Sequence, residues 1–443
     1  MLRAQYRIVV PTFIALILCI LLWFLPSQYT QKIFPNTERV PVTILSVNNT
    51  SVHQIGLVKQ GEQSCDVKVL GGRYKGQTAP AVNLMLGSLE QDKLYVPGDK
   101  ALAVIDYTDA GIHYINLVDH YRITKTIILV AAFIILLIAF AGWTGFRAII
   151  SFMMTVLVIW KILVPAFLNG FNPIIIGLGC TLALTTLIIL LVYGLDSRSL
   201  SAILGSSLGT LLTAFIAIYL IGTFNIHGAV MPYAESLMYA GYAYLDLTQI
   251  FIASIFVASS GAMMDVAVDI TSAMHELITS APDLSRSKLI RSGFAIGRAI
   301  MGTMTTTLLL AYSGGFISLL MVFMAQGTPL INILNLKYIS SEILHTVIGS
   351  IGLVTVAPFT AITSGFLLAH PDKHPDKHSS NHSNNPSPDN SSDVHPVITS
   401  HRPATEHSEI YLENVLEISE EALGALATPT ITRSYHIKKG RLL

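Results

Sequence analysis

The stretch Ser259–Thr307, SSGAMMDVAVDITSAMHELITSAPDLSRSKLIRSGFAIGRAIMGTMTTT, decides how the rest of the chain is read. It lies between two strongly apolar runs, yet it carries Asp265, Asp269, His275, Glu276, Arg291 and Arg298. Ionisable groups at or inside the edge of a membrane span are costly, and they end up against partners or water. If the flanking runs form an antiparallel hairpin turning near Pro282, Asp265 and Arg298 lie about equally far from the turn. They then reach similar depth, where a carboxylate and a guanidinium can pair. The other reading is a hairpin whose charges sit in water or among headgroups. It applies most readily to Asp269, His275 and Glu276.

Composition agrees with a membrane setting. Of 443 residues, 52% are hydrophobic and only 12% charged, and the mean hydropathy is +0.59. That is far too apolar for a soluble protein. Lys plus Arg equals Asp plus Glu at 27 each, so nucleic-acid binding is not expected. Cys19, Cys65 and Cys180 are far apart, and two of them fall in apolar runs, which argues against a disulfide framework or a zinc site.

Upstream of the hairpin, Arg3 and Arg7 precede the apolar run Ile8–Leu25, and no small-residue cleavage pattern follows it. Residues 1–34 therefore read as a retained membrane anchor. Residues 35–122 change character. Six short β-rich runs appear, VPVTILSV, QIGLV, CDVKVL, PAVNLML, ALAVIDY and IHYINLV, separated by Gly71-Gly72, Lys75-Gly76 and Pro97-Gly98-Asp99. They predict a small antiparallel barrel, OB-like or SH3-like. Arg73, Tyr74 and Lys75 make a solvated hairpin tip, with an anionic ligand as the sharper alternative.

Seven further apolar runs follow, at 126–141, 148–168, 173–193, 200–221, 247–268, 299–324 and 343–369. With the anchor they predict an all-α polytopic membrane protein of about eight transmembrane helices, each near the ~20 residues that span a bilayer. The β-rich domain lies between helices 1 and 2, and residues 123–369 form a seven-helix membrane domain. Gly314-Gly315 and Pro358 are expected to interrupt the last two spans. Arg3, Arg7, Arg147, Arg198, Arg286, Lys288, Arg291 and Arg298 all fall on one side of this layout, and Lys337 on the other. The positive-inside rule then places both termini in the cytoplasm and the β domain outside. Residues 370–443 are rich in Ser, Asn, Pro, His and Asp and read as a disordered cytoplasmic tail. Its His370, His374, His378 and His382 invite a metal reading, but the interleaved prolines break any helix that would align them. Leu412–Leu426 can form a short amphipathic helix.

The runs SGAMMDVAVDITSAMHEL and RSGFAIGRAIMGTMTTTLLLAYSGG resemble the bacterial YibE/F family of multispanning membrane proteins, over about residues 1–368. The resemblance implies a multi-pass protein of the bacterial inner membrane, described as permease-like. In the family pattern an acidic residue often follows the Arg of the GR pair, and an Asn often takes the second Thr of the TTT run. Ala299 and Thr306 stand there in this chain, so a role needing a second carboxylate beside Arg298 does not carry over.

Enzyme signatures are scarce, and no catalytic role is expected. His275-Glu276 opens like H-E-x-x-H, but Thr279 occupies the place of the second histidine. Tyr193-Gly194-Leu195-Asp196 has the wrong spacing for an intramembrane aspartyl protease. No cofactor or metal is expected. A transport reading rests on where polar groups gather. Asp265 and Asp269 share a helix face, with Ser259 and Ser260 one to two turns away and Thr306 along the next span. Glu342 and His345, three apart in the last span, share another face. Hydroxyls and ionisable groups at several depths suit a path for a small solute or ion. The alternative is a non-transporting scaffold or sensor with the β domain as receptor. Gly205-x-x-x-Gly209 and Gly293-x-x-x-Gly297 then read as helix-packing motifs. Expected partners are the lipid bilayer, the unknown solute or ion and, as an open option, further copies of the chain.

Overall fold

The computed structural model describes residues 2–26 and 36–369. The tail with its histidine run and the stretch Leu412–Leu426 lie outside the described residues. Helix α1 (Leu2–Phe24) precedes five strands, β1 (Thr37–Ile55), β2 (Val58–Val69), β3 (Thr78–Leu86), β4 (Lys100–Thr108) and β5 (Gly111–His120). They close a barrel in the order β1-β2-β3-β5-β4. All pairings are antiparallel except β3 with β5. That parallel step rules out a simple meander and fits the OB-like alternative. Six predicted runs become five strands because QIGLV is the tip of the β1–β2 hairpin, with Ile55 opposite Val58 across a two-residue turn. Alternation fills the interior with Val40, Val42, Ile44, Cys65, Val67, Val69, Ala101, Ala103 and Ile105.

The remainder is helical: α2 (Ile123–Val158), a π turn at Ile159–Leu163, α3 (Val164–Leu168), α4 (Pro173–Tyr193), α5 (Ser197–Thr223) and α6 (Ala234–Leu237). Then come α7 (Leu247–Ser280), α8 (Arg286–Ser313), α9 (Ile317–Ala325), α10 (Leu330–Asn335) and α11 (Lys337–Leu368). Among the described residues six continuous helical stretches are long and apolar enough to cross a membrane, and the shorter apolar helix Val9–Phe24 adds to them. One of the six, Ile123–Leu168, joins two of the predicted spans. The loop expected around Arg147 is replaced by a sharp break at Gly142, where φ is 54° and ψ −125°. Beyond it, a Cβ on Gly145 would stand 2.5 Å from the Leu137 carbonyl oxygen, a contact no straight helix makes across eight residues. Gly314–Phe316 forms a short 3-10 turn between α8 and α9, as expected. Pro358 does not interrupt its helix. α11 runs through it, held on both sides where Ala357 meets Gly297 and Thr360 meets Gly205.

The bundle core lies between α5, α7 and α11, with Met263, Val266, Ala267, Ile270, Leu353, Val356 and Ala361 buried. Small residues set the spacing, and several of the hydroxyls among them turn back on their own helices. Ser206 Oγ donates to Ala202 O (2.7 Å), Thr210 Oγ1 to Ser206 O (2.9 Å) and Thr213 Oγ1 to Gly209 O (2.8 Å). Two long cations close helix ends. Arg147 donates to Leu191 O (2.7 Å) and Val192 O (3.2 Å) at the C-terminus of α4. Lys161 donates to Leu25 O (2.8 Å) just past α1. The barrel touches the α5–α7 connection through Tyr233 Oη, which donates to Glu90 Oε1 (3.2 Å).

Candidate functional site

Helix α7 runs through the middle of the bundle and buries Met263, Val266, Ala267, Ile270 and Met274. Its exposed residues recur every three or four positions: Ala258, Gly261, Asp265, Asp269, Ser272, Glu276 and Thr279. No large apolar side chain is exposed anywhere on α7. The adjacent α8 continues this face with Ala295, Arg298, Ala299, Gly302, Thr303, Thr306 and Thr307, and its exposed large apolar residues begin only at Phe294 and Leu309 on either side. The helices α5 and α11 behave differently. They expose Leu200, Leu204, Leu208 and Phe215, and Ile343, Val347, Val354 and Phe366, which is how a lipid-facing helix reads.

The predicted pairing of Asp265 with Arg298 does not form. Ion pairs among the described residues are Arg122–Asp119 and Arg198–Asp196. Register explains the difference. A Cβ on Gly293 would meet Met274, and one on Gly297 would meet Ile270, so the hairpin is centred beyond Asp283 rather than at Pro282. Continued one step, that register sets Arg298 level with Asp269 and Asp265 level with Gly302. The two predicted partners are thus about one helical turn apart in depth. All three charged side chains are exposed and make no hydrogen bond or ion pair among the described residues.

The remaining sequence candidates divide between packing and surface. Ser259 is fully buried against Gly349 and donates to Ile255 O (2.8 Å), so it serves packing. Ser260 is half-buried and donates to Val257 O (2.7 Å). Thr306 is exposed, donates to Gly302 O (3.2 Å), and lines a mainly apolar groove of about 470 Å³ between α8 and α11, where Leu309, Val347, Ile351 and Val354 stand among the hydroxyl residues. Glu342 and His345 share a face as expected. His345 stacks on Tyr312 with ring centroids 4.6 Å apart and meets the edge of Phe251. His345 Nε2 and Tyr312 Oη are buried with no hydrogen-bond partner among the described residues. Tyr312 was not among the sequence candidates, because a lone Tyr in an apolar run carries no spacing signal.

A second group missed by sequence reasoning sits at the α4–α5 turn. Tyr193 Oη donates to Val268 O and lies 2.5 Å from Ser272 Oγ, tying the end of α4 to the exposed stripe of α7. Arg198 covers the Tyr193 ring at 5.3 Å and donates through Nε to Asp196 Oδ2 (2.8 Å). Asp196 caps α5 by accepting from Ser197 N (2.8 Å). Burial pushes the Asp196 carboxyl upward, but the hydrogen bonds from Arg198 and Ser197 and the charges of Arg198 and His275 outweigh it, and the group titrates below its ordinary range. A folded-state value below the unfolded one stabilises at neutral pH, and that contribution is lost as pH falls through the lowered value. Asp196→Ala is therefore expected to cost about 1–2 kcal/mol at pH 7, the usual loss on removing an N-cap. Thermal unfolding in detergent at pH 7 checks it, and the gap from wild type should narrow below about pH 3, under the unperturbed carboxylate range.

A polytopic helical membrane protein, carrying a five-stranded barrel and a polar face on two neighbouring helices, is the class these elements define. The chain belongs to the YibE/F-like protein family, whose model matches residues 129–370, more than half of the sequence. The match takes in α7, α8 and α11 but leaves out α1 and the barrel, and so is narrower than the resemblance over 1–368 suggested. Comparisons with curated proteins and with solved structures each find no match.

Proposed function

We propose that the chain is an eight-pass, non-enzymatic permease of the bacterial inner membrane, moving a small solute or ion along the polar faces of α7 and α8. The eight passes are α1, the two halves of Ile123–Leu168 on either side of Gly142, α4, α5, α7, α8 with α9, and α11. Arg147 lies against the C-terminus of α4, and Tyr193 joins the α4–α5 turn to α7, so the basic ends of these helices gather on one side. By the positive-inside rule that side is cytoplasmic and the barrel is external. The observation carrying the transport reading is the exposed stripe of α7. A membrane helix that turns Gly261, Asp265, Asp269 and Ser272 outward, and no large apolar group, is built for a polar neighbour rather than for lipid.

Flux measurements in proteoliposomes test this. Wild type is expected to move at least one member of a screen of ions, organic acids and amino acids. Asp265→Asn, which keeps side-chain size and removes the charge, should lose most of that flux. Wild-type vesicles indistinguishable from empty ones across the screen would sink the proposal. They would favour a scaffold or sensor instead, a reading supported by core hydroxyls spent on their own helices rather than on a passage.

A further inference from the structure

We propose that the face formed by α7 and α8 is the contact surface of a homodimer, in which Asp269 of each copy meets Arg298 of the other. It shares a face with the transport reading but does not depend on anything being moved. Three observations carry it. Asp265, Asp269 and Arg298 are exposed within helices long and apolar enough to cross a membrane, and have no ion-pair partner in their own chain among the described residues. Charges so placed are left facing lipid only at considerable cost. The face is also made of small side chains, with Ala258 and Gly261 on α7 and Ala299 and Gly302 on α8, so a second backbone can approach closely.

The third observation selects the occupant. A two-fold axis along the membrane normal keeps every residue at its own depth and makes the contact self-complementary. The register of the hairpin puts Asp269 and Arg298 at one depth, on neighbouring helices and with opposite signs. Turning α7 of one copy toward α8 of the other therefore brings carboxylate to guanidinium twice. Asp265 then lies level with Gly302 and beside the Thr303 and Thr306 hydroxyls of the facing copy. An unrelated partner would need to supply the opposite pattern, whereas a second copy has it already.

The full chain is reconstituted at low density in bilayers, and copies per spot are counted by stepwise photobleaching. Wild type should bleach mainly in two steps. Arg298→Asp sets two carboxylates opposite each other and should shift the equilibrium toward monomer at least about tenfold, roughly 1.4 kcal/mol. The double variant Asp269→Arg with Arg298→Asp exchanges the charges and should restore two-step bleaching, which misfolding would not allow. Independently of charge, Gly261→Cys with Thr306→Cys, which the same register sets level, should give an oxidised dimer on gels. Single-step bleaching of wild type would overturn the proposal and leave the face to lipid headgroups or another protein. So would dimers indifferent to Arg298→Asp that fail to cross-link.

Discussion

Replacing Gly205 by leucine is expected to abolish the folded bundle. A Cβ at this position would stand 2.2 Å from Thr360 Oγ1 and 2.7 Å from Thr360 Cα, so the obstacle is backbone as well as side chain. One turn along, a Cβ on Gly209 would fall 2.0 Å from Val356 Cγ2. Helices α5 and α11 thus meet with no layer of side chains between them at Gly205, and Ser201 O accepts from Thr363 Oγ1 (3.1 Å) near the same crossing. Overpacking a core costs about 1–3 kcal/mol when neighbours can shift, and more when a backbone must move. Leucine at Gly205 has to push the two central helices apart, which also strips contacts from Ala202, Val356 and Ala361. Size-exclusion profile and thermal midpoint in detergent should show aggregation or a large loss for Gly205→Leu. Gly222→Leu on the same helix, where nothing lies within 4 Å, should behave as wild type. A well-behaved Gly205→Leu would mean the α5–α11 crossing is not where the bundle is held.

That crossing was legible, because two glycines four apart in an apolar run have few uses other than close approach. The barrel was legible for a similar reason, since period-two alternation between turn residues leaves few choices. Depth was harder to read. The pairing of Asp265 with Arg298 assumed a turn at Pro282, whereas Gly293 and Gly297 seat against Met274 and Ile270 and slide α8 by about one turn. Side-chain packing fixes that register, and composition does not report it. Gly142 falls in the interval 142–147 left between two predicted spans, but that the break would be one residue rather than a loop was not legible. Its neighbours are apolar on both sides, and a single left-handed residue leaves no trace in hydropathy. Tyr193 and Asp196 were weighed only within a protease-like motif of the wrong spacing, because their partners, Val268, Ser272 and His275, lie 75 to 79 residues away. The exposed stripe of α7 was half legible. The four-residue spacing of Asp265 and Asp269 put them on one face, but only the packed bundle reveals that this face is the one left uncovered.

The barrel carries its own polar keystone, and Gln63→Leu is expected to open it while the membrane helices persist. Gln63 occupies the inward register of β2, shared with Cys65, Val67 and Val69, and it is fully buried. Its Nε2 donates to Asn49 Oδ1 (2.8 Å) and to Tyr95 O (2.9 Å). Its Oε1 accepts from Asn83 Nδ2 (3.0 Å) and from Tyr95 N (3.0 Å). Asn83, equally buried, goes on to donate to Lys93 O (2.7 Å), so one amide fastens the 93–95 segment across the barrel interior. Leucine matches the volume but leaves the Tyr95 N–H and C=O without partners and breaks the bond from Asn83. Each buried group so orphaned costs about 1–3 kcal/mol, and losses in a shared network compound. Several kcal/mol is a large fraction of the ~5–15 kcal/mol that holds a small domain together. Cys65 gives a direct reading. Burial, with the Asp66 charge adding to it, pushes its thiol up to about 11, so in the closed barrel it is buried, protonated and slow to react. In Gln63→Leu maleimide labelling of Cys65 in the full chain should rise at least about tenfold at neutral pH, since the thiol regains its ordinary value near 8.5 once exposed. Gln63→Glu, which keeps the two acceptor bonds at Oε1 but loses both donor bonds, should fall between. Labelling unchanged in Gln63→Leu would show that the apolar lining of Val42, Val67 and Ile105 closes the barrel without the amide.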